Sequence, residues 1–187
     1  SSTMTRPLRS FTDIHSHDKA AAGRYDTVVN LTPDDGLPSE GWFSVGIHPW
    51  DTAAGTPSLS QLKSLVRMAR DPRTVAVGET GFDRRHGGDT DLQRRVFDFQ
   101  ARLAERVGKP LVIHAVKADD LLAEAIKRHK PGVEWIIHGF RGNAERARQL
   151  LRLGFSLSLG RHFNPAAEAA IPPERLYRET DSPANNT

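Results

Sequence analysis

Six stretches of the chain are apolar at consecutive positions, not at alternate ones: 25–31 (YDTVVNL), 42–47 (WFSVGI), 74–78 (TVAVG), 110–113 (PLVI), 133–137 (VEWII) and 155–159 (FSLSL). Short runs of this kind predict strands buried on both faces. Two weaker runs, 11–15 (FTDIH) and 176–179 (LYRE), bracket them and bring the count of candidate strands to eight. From Ser58 onward the spacing alternates with a helical one. Ser58 and Gln61 form a capping-box pair ahead of Leu59, Leu62, Val66 and Ala69, until Asp71-Pro72 stops the run. Leu92, Val96, Phe99, Leu103 and Val107 make a second helical stripe, closed by Gly108 and Pro110. Leu121, Leu122, Ala125 and Ile126 make a third, closed by Pro131-Gly132. Asn143 caps a fourth, with Ala147, Leu150 and Leu151 inside it and Gly154 just past its end.

Strand–helix alternation predicts an α/β protein with a parallel sheet, and eight strands favour a closed TIM (β/α)8-type barrel over a doubly wound sheet. The 187 residues are few for that fold, which ordinarily takes about 250. The links between the first three strands are too short for full helices, and the sequence ends soon after Asp181. The expectation is a trimmed barrel over 11–187, with short or missing early helices and no helix after the last strand. Residues 1–10 are expected to be a disordered or tag-derived leader. Without a terminal helix, strands eight and one are expected to leave an apolar face uncovered and to promote self-association.

Composition narrows the chemistry. Hydrophobic residues are 37% and charged residues 26%, and no run approaches the ~20 apolar residues of a membrane span. The N-terminus has no apolar signal segment, so a cytoplasmic location is expected. There are no cysteines, which excludes disulfides, thiolate metal sites and a thiol nucleophile. A net charge of +3 suits an anionic substrate without requiring nucleic acid. Eight histidines are present, about twice the number expected from average usage.

Their positions matter more. Chemically capable residues close six of the eight strands: Asp13-Ile-His15-Ser-His17, His48, Glu79 with Asp83, His114, His138, and Glu179-Thr-Asp181. In a parallel barrel these ends form one rim, where active sites sit. His15 and His17, two apart on a strand, share a face and can reach one metal. His114 and His138 each read singly as core histidines, but together at one end of neighbouring strands they read as ligands. A buried Glu79 needs a cationic partner, either a metal or Arg84 or Lys117. Asp181 reads as a turn former before Pro183 or as a metal ligand that takes a proton from water. Four imidazoles and two carboxylates suit Zn²⁺, Mn²⁺ or Ni²⁺ better than Ca²⁺. Six ligands suffice for two ions, and a hydroxide held between them would attack a phosphorus or carbonyl centre.

The ordered set D-I-H-S-H, V-G-I-H-P-W, V-G-E-T-G-F-D, V-I-H-A, I-I-H-G-F-R-G-N and E-T-D-S-P resembles the TatD family of metal-dependent hydrolases, from Phe11 to Pro183. The resemblance implies a barrel of the amidohydrolase-like superfamily, a pair of divalent metal ions (Zn, Mn, Ni or Mg) and phosphodiester hydrolysis, usually of DNA. It implies that His15 and His17 hold the first ion, that Glu79 touches both, and that His114 and His138 hold the second. Asp181 would ligate the first ion and activate water, making Asp181 and Glu79 the catalytic pair. His48, in G-x-H-P, would face the substrate phosphate. Asp13 and Asp83 would support the ligands.

The chain departs from the family pattern twice. After His114 the usual arginine is replaced by Val116, with Lys117 one position later, and the usual serine after His138-Gly-Phe is Arg141. Lys117 and Arg141 are therefore candidates for the positive charge that meets substrate. The 127–130 run (KRHK) reads as a solvated helix end, and Trp50 reads as core packing more readily than as a base-stacking platform. Against the deoxyribonuclease or phosphodiesterase reading stand an acyl hydrolase, such as an aminoacyl-tRNA deacylase, on the same scaffold, and a barrel that only binds. No membrane partner is expected.

Overall fold

A computed structural model describes residues 5–181. Eight strands form one parallel sheet in sequential order: β1 (Asp13–Ser16), β2 (Thr27–Leu31), β3 (Trp42–Val45), β4 (Thr74–Asp83), β5 (Leu111–Val116), β6 (Trp135–Ile137), β7 (Ser156–Leu159) and β8 (Leu176–Arg178). The helices are α1 (Leu59–Ala69), α2 (Thr90–Val107), α3 (Asp119–His129), α4 (Ala144–Leu153) and the short α5 (Pro165–Glu168). The trimmed barrel predicted from the pattern is the fold observed. A 3-10 turn stands between β1 and β2, and no helix lies between β2 and β3. No described helix is long and apolar enough to cross a membrane.

The capping signals act where the sequence puts them. Ser58 Oγ accepts from Gln61 N, and Gln61 Oε1 accepts from Ser58 N. Asn143 Oδ1 accepts from Arg146 N, and Gly108 and Gly154 end their helices in the left-handed region.

Apolar residues on both faces of each strand feed two cores. The outer one, between sheet and helices, takes Leu111, Ile113, Trp135 and Ile137. The inner one takes the alternate positions Val112 and Ile136, with Ile14, Val28, Val75 and Tyr177. Leu8 and Phe11 complete this inner core. Residues 5–10, which the pattern leaves outside the barrel, thus carry a 3-10 turn, Leu8–Ser10, with Leu8 only 3% exposed. A single apolar side chain in a polar leader gives no periodicity, so this role is silent in the sequence.

Among the described residues the expected bare apolar face does not appear. β1 is buried throughout, Tyr177 is buried, and Arg178 at the outer side of β8 pairs with Glu168 of α5. The seam between β1 and β8 is closed by a few polar bonds, described below.

β4 extends five residues beyond its predicted end, to Asp83, and is buried throughout. Gly78 and Gly81 make this extension feasible. Both have positive φ (138° and 140°), and a Cβ on either would lie 2.3 Å and 2.1 Å from carbonyl oxygens of β5. The close approach of β4 to β5 brings Glu79 to the middle of the rim.

Candidate metal centre

Glu79 divides the histidines between its two oxygens. Oε1 lies 3.3 Å from His15 Nε2 and 3.5 Å from His17 Nε2. Oε2 lies 3.3 Å from His48 Nε2 and 3.4 Å from His114 Nδ1, and it touches His138 Nε2. Asp181 Oδ1 joins the first side, 3.7 Å from His15 Nε2 and 3.5 Å from His17 Nε2. All six ligands proposed from sequence therefore gather at one end of the barrel, drawn from β1, β4, β5 and the ends of β6 and β8.

For three of the rings, His114, His138 and His48, a hydrogen bond to one nitrogen fixes what the other presents inward. His114 Nε2 lies 2.8 Å from Asp83 Oδ2, so its proton faces the carboxylate and Nδ1 presents a lone pair to the centre. His138 Nδ1 lies 3.2 Å from Glu179 Oε1, which turns Nε2 inward. Both are histidine–carboxylate pairs of the kind that orient metal-binding imidazoles. His48 differs. Its Nδ1 accepts from Trp50 N (3.1 Å), which leaves the proton on Nε2. His48 therefore donates into the site.

The supporting carboxylates are themselves well held. Asp83 accepts from Trp50 Nε1 (2.7 Å) and from the backbone N–H groups of Arg85 (2.8 Å) and His86 (3.2 Å). Burial opposes its charge, but these donors and His114 lower its pKa. Asp13 works on the seam: Oδ1 accepts from His15 N (3.1 Å) and Thr180 N (3.0 Å), and Oδ2 accepts from Thr180 Oγ1. Asp181 N then donates to His15 O (2.9 Å), which draws its carboxylate toward β1.

These donors suit a cation. Glu79 is 3% exposed, and burial alone would raise its pKa; His138 and His15 instead hold it well below the usual carboxylate range. Burial disfavours the charged form of His138, yet Glu79 and Glu179 raise its pKa well above the ordinary value. Contact with Glu79 raises His17 as well. Glu79 Oε1, His138 Nε2 and His15 Nδ1 are nonetheless buried without a hydrogen-bond partner, a costly state that close contact alone does not relieve. His15 Nε2 and His17 Nε2 also face each other at 3.2 Å. Donor atoms of His15, Glu79 and His138, of His15, His17 and Asp181, and of His48, Glu79 and His114 lie within 4.8 Å of one another in each set. An ion could take the place of protons as the shared partner of the converging imidazoles and carboxylates. The distances associate His138 with His15 as well as with the Oε2 side, and His114 with His48.

A cavity of about 710 Å³ opens beside the centre, reaching His114, His138 and Asp181 and lined by Arg85, Lys117 and Arg141. Neither Lys117 nor Arg141 has an ionic partner among the described residues. Arg84, by contrast, pairs with Asp120 rather than with Glu79 (2.6 Å). A smaller cavity of about 230 Å³ continues past Asp181 and Arg141 to Arg161 and His162.

Some of the machinery lies outside the apolar pattern. Glu179 is legible as the residue two before Asp181, but nothing in the sequence links it to His138. Gln93 and Gln100 lie one heptad apart on α2 and are buried. Gln93 brackets Asp83, donating to its carbonyl (2.9 Å) and accepting from its N–H (2.8 Å). Gln100 ties Ile47 N (2.8 Å) to Thr80 Oγ1 (2.7 Å). Two glutamines on the inner face of a helix are the available signal. Trp50, expected in the core, is 51% exposed on the rim.

A parallel eight-stranded barrel with imidazoles and carboxylates converging on its C-terminal rim has the layout of a metal-dependent hydrolase. The chain belongs to the family described as TatD related DNase, which matches residues 18–187. It is 32% identical over 191 residues to an uncharacterized metal-dependent hydrolase TatD of Mycobacterium tuberculosis, covering 89% of this chain and 71% of that protein. It is 29% identical over 158 residues to the 3'-5' ssDNA/RNA exonuclease TatD of Klebsiella pneumoniae, covering 76% of this chain and 57% of that one. The chain thus spans little more than half of some relatives. The crystal structure of YJJV, a TatD homologue from Escherichia coli K12, superposes with a TM-score of 0.71 at 25% identity, over 96% of this chain and 82% of that one.

Proposed function

We propose that this chain is a divalent-metal-dependent phosphodiesterase acting on DNA or RNA, with two ions at the rim. The observation that carries this is the partition of Glu79, one oxygen toward His15 and His17 and the other toward His114 and His138. The relative from Klebsiella, named for exonuclease action on single-stranded DNA and RNA, supports the substrate class.

In this reading His15, His17, Glu79 and Asp181 hold one ion, and Glu79, His114 and His138 hold the other. When bound, the ions supply positive charge for a phosphoryl centre and for the attacking water. Asp181, partly exposed and facing the cavity, takes the proton from that water at its carboxylate. His48 donates its Nε2 proton toward a phosphate oxygen. Lys117 and Arg141 balance substrate charge along the cavity wall. Asp83 and Glu179 keep His114 and His138 in the ligating tautomer.

The test is hydrolysis of single-stranded DNA, RNA and a simple phosphodiester, beside an aminoacyl ester and a cyclic amide, each with Mg²⁺, Mn²⁺ or Zn²⁺ and with EDTA. Metal-dependent cleavage of the phosphodiesters is expected, with metal content near two ions per chain. Glu79→Gln should lower both metal content and rate, the rate by about a thousandfold or more, in keeping with loss of metal-ion catalysis. Preference for the acyl substrates, or full activity in EDTA, would refute the reading.

A further inference from the structure

Trp50 is an exposed aromatic residue, as Tyr25 is, but its ring meets imidazoles of the metal centre. Trp135 and the phenylalanines of the core are buried, whereas the Trp50 indole is half exposed at the edge of the metal centre. It is also firmly held. Its Nε1 donates to Asp83 Oδ2, and its ring meets those of His48, His86 and His114 at centroid separations of 4.9, 5.1 and 6.0 Å. The interplanar angles are 67°, 64° and 79°, so none of these rings lies flat against the indole. An exposed, rigid aromatic ring with no stacked neighbour is the kind of surface on which a flat ligand gains affinity at little ordering cost. Two bonds fix it beside the chemistry. Trp50 N donates to His48 Nδ1, and Nε1 reaches the carboxylate that orients His114.

We infer that Trp50 is a stacking platform for the nucleobase adjoining the phosphodiester that is cut. The inference rests on the phosphodiesterase reading and adds the feature that reading lacks: recognition of a base in addition to phosphate. The neighbouring His48 donor addresses the phosphate, and the indole takes the base. Stacking on an aromatic side chain is tolerant of base identity, so the platform favours unpaired nucleotides over abasic or duplex ones without selecting a sequence.

The test compares thymidine 5'-monophosphate with 2-deoxyribose 5-phosphate, which share the phosphate and sugar but not the base, as ligands of the Mn²⁺-loaded protein. Binding of the nucleotide is expected to be about tenfold tighter or more, the usual scale of one base–aromatic stack. Trp50→Ala should bring the two affinities within about twofold, whereas Trp50→Phe, which keeps a ring but loses Nε1–H, should retain most of the difference. On a short single-stranded DNA, Trp50→Ala should raise KM well above that of Trp50→Phe, although both variants lose the bond to Asp83. Equal binding of the two ligands by the unaltered protein overturns the inference, even if Trp50→Ala fails to fold. So does an equal loss in the Phe and Ala variants, or a fall confined to kcat, because either would mean that Trp50 acts only through Asp83. Cleavage of an abasic single strand as efficiently as of its base-bearing counterpart removes the platform alone. Absence of metal-dependent cleavage of any phosphodiester removes the hydrolase reading and the platform with it.

Discussion

The two ends of this barrel each hold a carboxylate among polar neighbours, and they treat it in opposite ways. At the base, Glu134, just ahead of β6, accepts from Ser156 Oγ and Tyr177 OH, and Arg9 lies 3.6 Å away. Its partners are proton donors, and Arg9 also donates to the carbonyl of Pro173 (3.1 Å), which ties the N-terminal turn to the approach to β8. At the rim, Glu79 faces five imidazoles, and atoms on both sides of those contacts remain without hydrogen bonds. Donors fully matched to acceptors stabilise a fold, while a buried surplus of lone pairs destabilises it until a cation arrives. The difference separates scaffold from site without reference to any relative.

That contrast can be sharpened from both ends. The largest effect is expected at the rim. Glu179→Gln removes the charge behind His138 while keeping its shape, and metal affinity should fall about 10- to 100-fold with little change in unfolding midpoint; calorimetric metal titration beside thermal unfolding measures both. A smaller effect is expected at the base. Glu134→Gln should cost about 1–2 kcal/mol of stability and leave metal affinity unchanged, because it weakens charge-assisted bonds that serve only packing. If Glu134→Gln weakened metal binding as much as Glu179→Gln, the division between the ends would fail.

The smallest effect concerns pH. Lys109, ahead of β5 at the base, donates to Ala69 O (2.6 Å) and Asp71 O (2.9 Å), and burial lowers its pKa to about 8. Its folded-state pKa lies below the usual 10.5, so between about pH 8 and 10.5 the unfolded chain holds more protons and stability rises with pH. Denaturant titrations should show stability rising with pH across that window, a rise absent in Lys109→Met. A flat profile in the unaltered protein would contradict the assignment.

Much of this was legible in the residues. Apolar runs gave all eight strands, and helical stripes with caps gave four helices, because burial on both strand faces writes a continuous pattern. The six ligand candidates were legible because their side chains stand at strand ends, where topology sends them to a common rim. What the pattern missed has no period. Leu8 is one apolar residue in a polar stretch, and β4 runs past Glu79 because two glycines let it approach β5. Glu179 and the two buried glutamines act through contacts between elements far apart in the chain. Trp50 reads as core by composition and stands on the rim because the 3-10 turn Pro49–Ala54 turns it outward.

The seam of the barrel has a consequence for how the molecule holds together. β1 and β8 meet through Asp13 with Thr180 and through Asp181 N with His15 O, where other neighbouring strands share a ladder. The same two edges carry His15, His17 and Asp181. An ion gripped there would buckle the first strand to the last, so that the cylinder is fastened by its own cargo and loosens at that joint when a chelator strips it.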